Sequence, residues 1–211
     1  MARHAQRTSR QDPGKNKPQG RDRGPVLGTV ALILGFGLLA VLALRQVGAP
    51  DVGFHLKAGE YILSGHGWPR NDPFTTTLKD HPYIDTSWGY QVVLAAIQRG
   101  FDSAGVVIFH TLLVLLVFIT LTRTVRLGDP DPLTLAGFLF LGGLASEMRF
   151  EARPEILSWL FLAVVLHLLH RRALGLPSPL WMLVPIHLVW ANCHSLFILG
   201  WGVTGCFLIG R

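Results

Sequence analysis

The sequence predicts an all-α, polytopic helical membrane protein with five or six spans and a large first extracytoplasmic loop. Three observations carry this. Half of the 211 residues are hydrophobic and only 15% are charged, against about 25% charged in soluble domains; mean hydropathy is +0.39. Charge-free apolar runs of 19 residues stand at 26–44 and 104–122, each long enough to cross a bilayer as a helix. The connecting segments alternate between basic and weakly acidic, the pattern that orients successive spans.

Residues 1–25 hold seven Lys/Arg against Asp12 and Asp22, are rich in Gly, Pro, Gln and Ser, and show no apolar periodicity. They read as a disordered, basic, cytoplasmic tail that keeps the N-terminus inside. The same charge would suit anionic lipid or RNA. Because most of the net +6 sits in this flank of the first span, no nucleic-acid partner is expected. The run at 26–44 exceeds the 7–15 apolar residues usual in a cleaved signal peptide, and reads as a retained span. Cys193 and Cys206 lie in apolar surroundings without metal-type spacing or a disulfide framework.

The loop 45–103 is patterned. Pro50-Asp51 offers a helix N-cap, and Phe54, Ala58, Tyr61 and Ile62 recur along one side of the helix that follows, up to Gly65 and Gly67. Pro69 and Pro73 impose extended chain and turns. Asp85-Thr-Ser-Trp88 then caps a second amphipathic segment to Arg99, with Val92, Ala95 and Ala96 on one face. Two such helices would lie in the interface plane, with Trp68, Trp88 and Tyr90 at headgroup depth.

Further spans are read at 104–122, 132–148, 154–170, 179–192 and 195–210. The apolar cores at 132–146 and 156–170 have 15 residues each, and need flanking residues at the interface to complete a crossing. Residues 179–210 contain no Asp, Glu, Lys or Arg, but Pro185 and Asn192-Cys-His194-Ser195 interrupt them, favouring two short helices that meet at the polar break. With the tail inside, Arg123, Arg126, Arg171 and Arg172 also fall inside. The outside receives 45–103, with five basic and six acidic residues, and 147–155, with two and three. The layout is self-consistent for a bacterial inner membrane. The chain ends at Arg211 directly after an apolar run, which reads as truncation at the C-terminus.

Polar residues placed on the outside form the candidate site. Asp51 is a general-base candidate as well as an N-cap candidate, and His55 shares its helix face at i, i+4. Two such groups do not define a metal site, so His55 reads as an orienting partner. Arg149 and Arg153, also spaced i, i+4, could clamp a phosphate or form an interfacial salt-bridge set with Glu151 and Glu155. Asn192 and His194 suit either a wet cavity or interhelical hydrogen bonding. Asp72 and Asp85 suit turn and cap geometry. No zinc-type spacing joins the other histidines.

The order Asp51-x-x-x-His55-Leu-x-x-Gly59-x-x-Ile62, Gly67-x-Pro69-x-x-Asp72-Pro73-Phe74-x-x-Thr77, and Asp85-x-x-Trp88 resembles the first extracytoplasmic loop of bacterial GT-C superfamily glycosyltransferases. The branch is the one near the oligosaccharyl and mannosyl-type transferases. Arg149-Phe-x-x-Arg153-Pro154-x-x-x-x-x-Leu160 and Trp190-x-Asn192-x-His194 are also similar to that branch, so the likeness spans about residues 26–205. It implies a polyprenyl phosphate-linked sugar donor bound from the bilayer and transfer to an acceptor on the outer face. Asp51 and His55 would be catalytic, and Arg149, Arg153, Asn192, His194 and Asp85 substrate-binding. No cofactor is required by the pattern, although a divalent metal would be compatible. Phe54 stands where the family usually has Trp, and Val52 and Gly53 supply no second acid beside Asp51. A non-catalytic scaffold or lipid-binding subunit is therefore the alternative. A transporter would show paired broken spans, and only 179–210 is broken.

The layout is tested by reporter fusions. A fusion after Ser103 is expected to report outside and one after Arg172 cytoplasm; a cytoplasmic signal at 103 would dismantle the shared outer site.

Overall fold

A computed structural model describes residues 24–44, 50–74 and 81–210. The tail read at 1–25 lies almost wholly outside the described residues, as do Arg45 and Thr77. The described residues form seven α-helices: α1 Gly24–Ala43, α2 Val52–Tyr61, α3 Trp88–Val125, α4 Pro132–Ser146, α5 Glu155–Ala173, α6 Leu183–Ala191 and α7 Phe197–Ile209. Among them α1, α3 and α5 are long and apolar enough to cross a membrane. The chain is thus an all-helical protein with the features of an integral membrane protein. At about 1.5 Å per residue, the 15, 9 and 13 residues of α4, α6 and α7 fall short of a core of about 30 Å. Large apolar side chains such as Leu34, Phe138, Leu188 and Ile198 point outward, as they must where lipid is the solvent.

Close approaches set the packing. The first is α1 against α4: Gly28 lies on Pro132, Gly35 on Leu139, and Gly143 on Leu39. Small residues let helix backbones approach closely, which matters where lipid tails are as apolar as the side chains. Leu32, Leu39, Leu113, Val114, Val117 and Leu139 fill the core between α1, α3 and α4. A second core joins α2, α3 and the α4–α5 turn through Val52, Tyr90, Leu94, Val106 and Ala152. The third closes α5 on α6 and α7 around Trp190.

Three elements differ from the sequence reading. The second amphipathic segment and the second span are one helix, α3, broken at Asp102, whose φ of 55° and ψ of −162° bend the chain between loop and span. Its buried face is Tyr90, Gln91, Leu94 and Ala95, with Ala96 exposed; Tyr90, at 1% exposure, is core and not an interfacial ring. In α2 the buried residues are Val52, His55, Ala58 and Gly59, while Phe54 is exposed. Helix docking overrides periodicity here. α2 lies on α3 through Gly59, where a Cβ would strike the Gln91 carbonyl and lie 2.8 Å from Ala95 Cβ. That contact turns His55 inward.

The breaks fall where the sequence places them. α2 unwinds through Ile62–His66 to Gly65 and Gly67, both at positive φ. Asn71 pairs antiparallel with Pro82, and Asp72 Oδ1 accepts from the Phe74 N–H. Asp131 caps α4 by accepting from the Thr134 N–H. α6 and α7 meet at the polar break, as two short helices.

Gly59→Ala is expected to destabilise the protein by about 1–3 kcal/mol through overpacking. Gly53→Ala on the same helix, where nothing lies within 4 Å of the added methyl, should raise stability by up to about 1 kcal/mol. Thermal unfolding of both variants in one detergent checks the contrast; equal effects would refute the α2–α3 contact.

Candidate functional site

The predicted residues gather where α2, the start of α3, the α4–α5 turn and the α6–α7 turn meet. Asp51 precedes α2 at φ −88° and ψ −9°, and its carboxylate makes no cap hydrogen bond. The side chain is left free for other partners. Asp51 Oδ2 lies 3.9 Å from His55 Nε2, and Oδ1 lies 3.5 Å from Arg153 Nε. The last two atoms are sealed from solvent, yet neither has a hydrogen-bond partner. They stand at ion-pair distance without hydrogen-bond alignment. Arg153 Nη2 reaches Glu151 at 3.1 Å.

His55 is enclosed on α3. Its ring meets Tyr90 edge-on at 5.9 Å, and Gln91 Nε2 lies 3.3 Å from its Nδ1. Tyr90 Oη and Gln91 Oε1 are also buried without hydrogen-bond partners. Such atoms are rare in folded proteins and call for an explanation. Burial pushes the His55 pKa below 6.5, against the attraction of Asp51 and Asp85; His194 and Arg153 push it the same way as burial. These effects place Asp85 and His194 in the same electrostatic neighbourhood.

The α6–α7 turn is strapped to the start of α3. Gly89 N–H donates to the Asn192 carbonyl at 2.8 Å, Trp88 Nε1–H donates to Asn192 Oδ1 at 3.0 Å, and Asn192 Nδ2–H donates to the Leu188 carbonyl. Asn192 is thus occupied by protein groups. Asp85 holds the approach to α3: Oδ1 accepts from the Ser87 N–H at 2.8 Å and Oδ2 from the Tyr83 hydroxyl at 3.3 Å. His194 is held from behind. Trp190 Nε1–H donates to Ser158 Oγ at 2.7 Å, and Ser158 Oγ lies 2.9 Å from His194 Nδ1. Burial lowers the His194 pKa too, with Glu155 opposing it.

Arg149 and Arg153 do not share a helix face. Residues 147–149 form a 3₁₀ turn, Phe150 breaks from helical geometry, and the two guanidiniums part. Arg149, 70% exposed, faces Glu155 at 4.0 Å. It stands at the polar end of an apolar cavity of about 620 Å³ between α3, α4 and α5, lined by Val117, Phe118, Gly142, Trp159 and Leu166 among others. Sequence reasoning passed over Gln91 and Ser158, placed Tyr90 at the interface, and gave Trp190 no role beyond its place in a pattern. Only the amphipathic face of α3 carried a signal for Tyr90 and Gln91, once its phase was set by Gly59. Among the described residues no group of three or more His, Cys, Asp or Glu is placed to hold a metal ion.

Comparison with protein-family models, curated proteins and solved structures finds no match.

Both histidines have lowered pKa values in the folded chain. The unfolded chain therefore binds more protons as pH falls, and folded stability drops with it. Their contribution is full above pH 6.5 and is lost as pH falls below it toward the folded pKa values. Thermal melts across this window are expected to show a fall in Tm on acidification that His55→Asn with His194→Asn reduces; an unchanged slope would refute the assignment.

Proposed function

We propose that this chain is a GT-C-like glycosyltransferase module that takes a sugar from a polyprenyl phosphate-linked donor and passes it to an acceptor hydroxyl on the extracytoplasmic face. The carrying observation is the Asp51 carboxylate, released from its helix cap and set beside His55 and Arg153. In this reading Asp51 removes the proton of the acceptor hydroxyl. The acceptor oxygen bonds to the anomeric carbon while the carbon–phosphate oxygen bond breaks, and the departing phosphate keeps the electron pair. Arg153 stabilises that charge.

The surroundings support this. A donor with an isoprenoid tail must be bound from the bilayer, and the α3–α4–α5 cavity is apolar along its length with Arg149 and Glu155 at one end. An incoming phosphate competes with Asp51 for Arg153. Because that pair lacks hydrogen-bond alignment, the exchange gives up little, and it frees Asp51 as donor binds. The chain crosses a bacterial inner membrane five or six times with its N-terminus inside, α4, α6 and α7 completing their crossings with flanking residues. His194 and Asp85 shape the site electrostatically, and Asn192 fixes its frame. The transfer scheme needs no metal.

The second reading is a non-catalytic scaffold. Arg153 already faces two carboxylates, Asp51 and Glu151, which is what a self-neutralised structural cluster would also show.

Asp51→Asn separates the two. For an enzyme, transfer from a polyprenyl phosphate-linked sugar in membranes carrying the chain is expected to fall about 10²–10⁴-fold, the usual contribution of a general base, at unchanged membrane level. Unchanged transfer with a lowered membrane level would establish the scaffold.

A further inference from the structure

The histidines of the cluster are both approached from behind by neutral groups, and this constrains where their protons sit. A neutral imidazole carries one proton on one of two nitrogens, and the partner of the first nitrogen selects the role of the second. For His55 the partner of Nδ1 is Gln91 Nε2, 3.3 Å away in a buried contact. An amide nitrogen only donates. Nδ1 is then the acceptor, and the ring proton is on Nε2, the atom that faces Asp51 at 3.9 Å. For His194 the partner of Nδ1 is Ser158 Oγ at 2.9 Å. Trp190 Nε1–H, a donor only, already occupies an acceptor position of that hydroxyl. Ser158 still has its own proton to give to Nδ1, and that arrangement puts the His194 proton on Nε2.

We propose that Gln91, and Ser158 backed by Trp190, are positioning residues that hold His55 and His194 as neutral Nε2–H tautomers, so that the cluster offers two uncharged N–H donors and leaves Asp51 as its base. The ligand class this favours is an oxyanion, a phosphate group above all. It would be held by Arg153 and imidazole N–H donors that persist above the histidine pKa, where an imidazolium would have lost its charge. The importance of this for sugar transfer rests on the reading above; the tautomers do not.

Geometry makes Gln91 specific to the task. It is 1% exposed, and the α2–α3 contact at Gly59 is made against its own carbonyl. The residue that receives α2 also receives the histidine one turn earlier on α2. The charged and titratable groups around His55 come from every neighbouring element: Asp51 ahead of α2, Tyr90 on α3, Asp85 before α3, Arg153 in the α4–α5 turn and His194 in the α6–α7 turn. None of them stands at Nδ1, which is left to the amide.

The experiment is nitrogen-15 NMR of the full chain in lipid nanodiscs at pH 8, with ¹⁵N-labelled histidine. The two rings are assigned by their loss in His55→Asn and His194→Asn. Both are expected to show a bare Nδ1 and a protonated Nε2. Gln91→Leu should give a mixture of tautomers at His55 alone. Gln91→Glu should draw the proton to Nδ1 and raise the His55 titration midpoint by about one pH unit or more, the effect of a close carboxylate. Ser158→Ala should disturb His194 alone. A proton on Nδ1 of either ring in the unaltered chain overturns the proposal for that ring, whatever the variants do. A His55 tautomer indifferent to both Gln91 substitutions overturns it as well. Tautomers as expected alongside full transfer by Asp51→Asn would keep this inference and remove the enzymatic reading.

Discussion

The site depends on how closely α2 can approach α3. Gly59 has no Cβ to hold the helices apart; an alanine there would collide with the Gln91 carbonyl. Because the helices touch at that point, the face of α2 turned inward is fixed, and it is the face with Val52, His55 and Ala58. A polar imidazole goes inside while Phe54 stays out. Burying an unpaired polar group costs free energy, and the cost is met locally by Gln91 at Nδ1 and Asp51 near Nε2. Asp51 lies near α3 and Arg153 only because α2 is seated this way.

A second constraint brings in residues more than a hundred positions away. The polar break between α6 and α7 could have faced lipid, where its backbone groups would lack partners. Instead Asn192 bonds the first turn of α3 through both its carbonyl and its side chain, and Gly89 permits the approach, since a Cβ there would lie 2.8 Å from the Asn192 oxygen. Both of these contacts on the first turns of α3 thus pass through glycines, Gly59 of α2 and Gly89 of α3 itself. The buried Trp190 indole, one turn before the break, anchors His194 through Ser158.

Much of the helical layout was legible in the sequence, because apolar runs and their breakers act locally. The spans in α1, α3 and α5, the helix-ending glycines 65 and 67 and the split at residues 192–196 all follow from short-range rules. Phase was less legible. The expected apolar faces of α2 and of the α3 start came from periodicity alone, and docking rotated each toward its partner, carrying His55 and Tyr90 inside. The i, i+4 spacing of Arg149 and Arg153 suggested one helical face, but 147–155 is a turn in which Phe150 and Ala152 are buried, and that burial sends the two arginines apart. The roles of Gln91, Ser158 and Trp190 were not legible because they exist only across contacts 36 and 32 residues apart in sequence.

The charge balance shows why neutral donors matter in this cluster. The carboxylates of Asp51, Glu151 and Glu155 converge on two guanidiniums, and each guanidinium already faces a carboxylate: Arg153 faces Asp51 and Glu151, and Arg149 faces Glu155. An added anion therefore meets no idle cation and must exchange with a carboxylate. Protonating the histidines would supply positive charge, but burial opposes it at both rings. What remains is a donor that needs no charge, an imidazole N–H whose direction is set from behind. On that logic the weakest link in the resting cluster is the contact between Asp51 and Arg153, close but unaligned. It is also the contact that an arriving phosphate would open, and opening it leaves Asp51 beside His55 with its carboxylate free to take a proton.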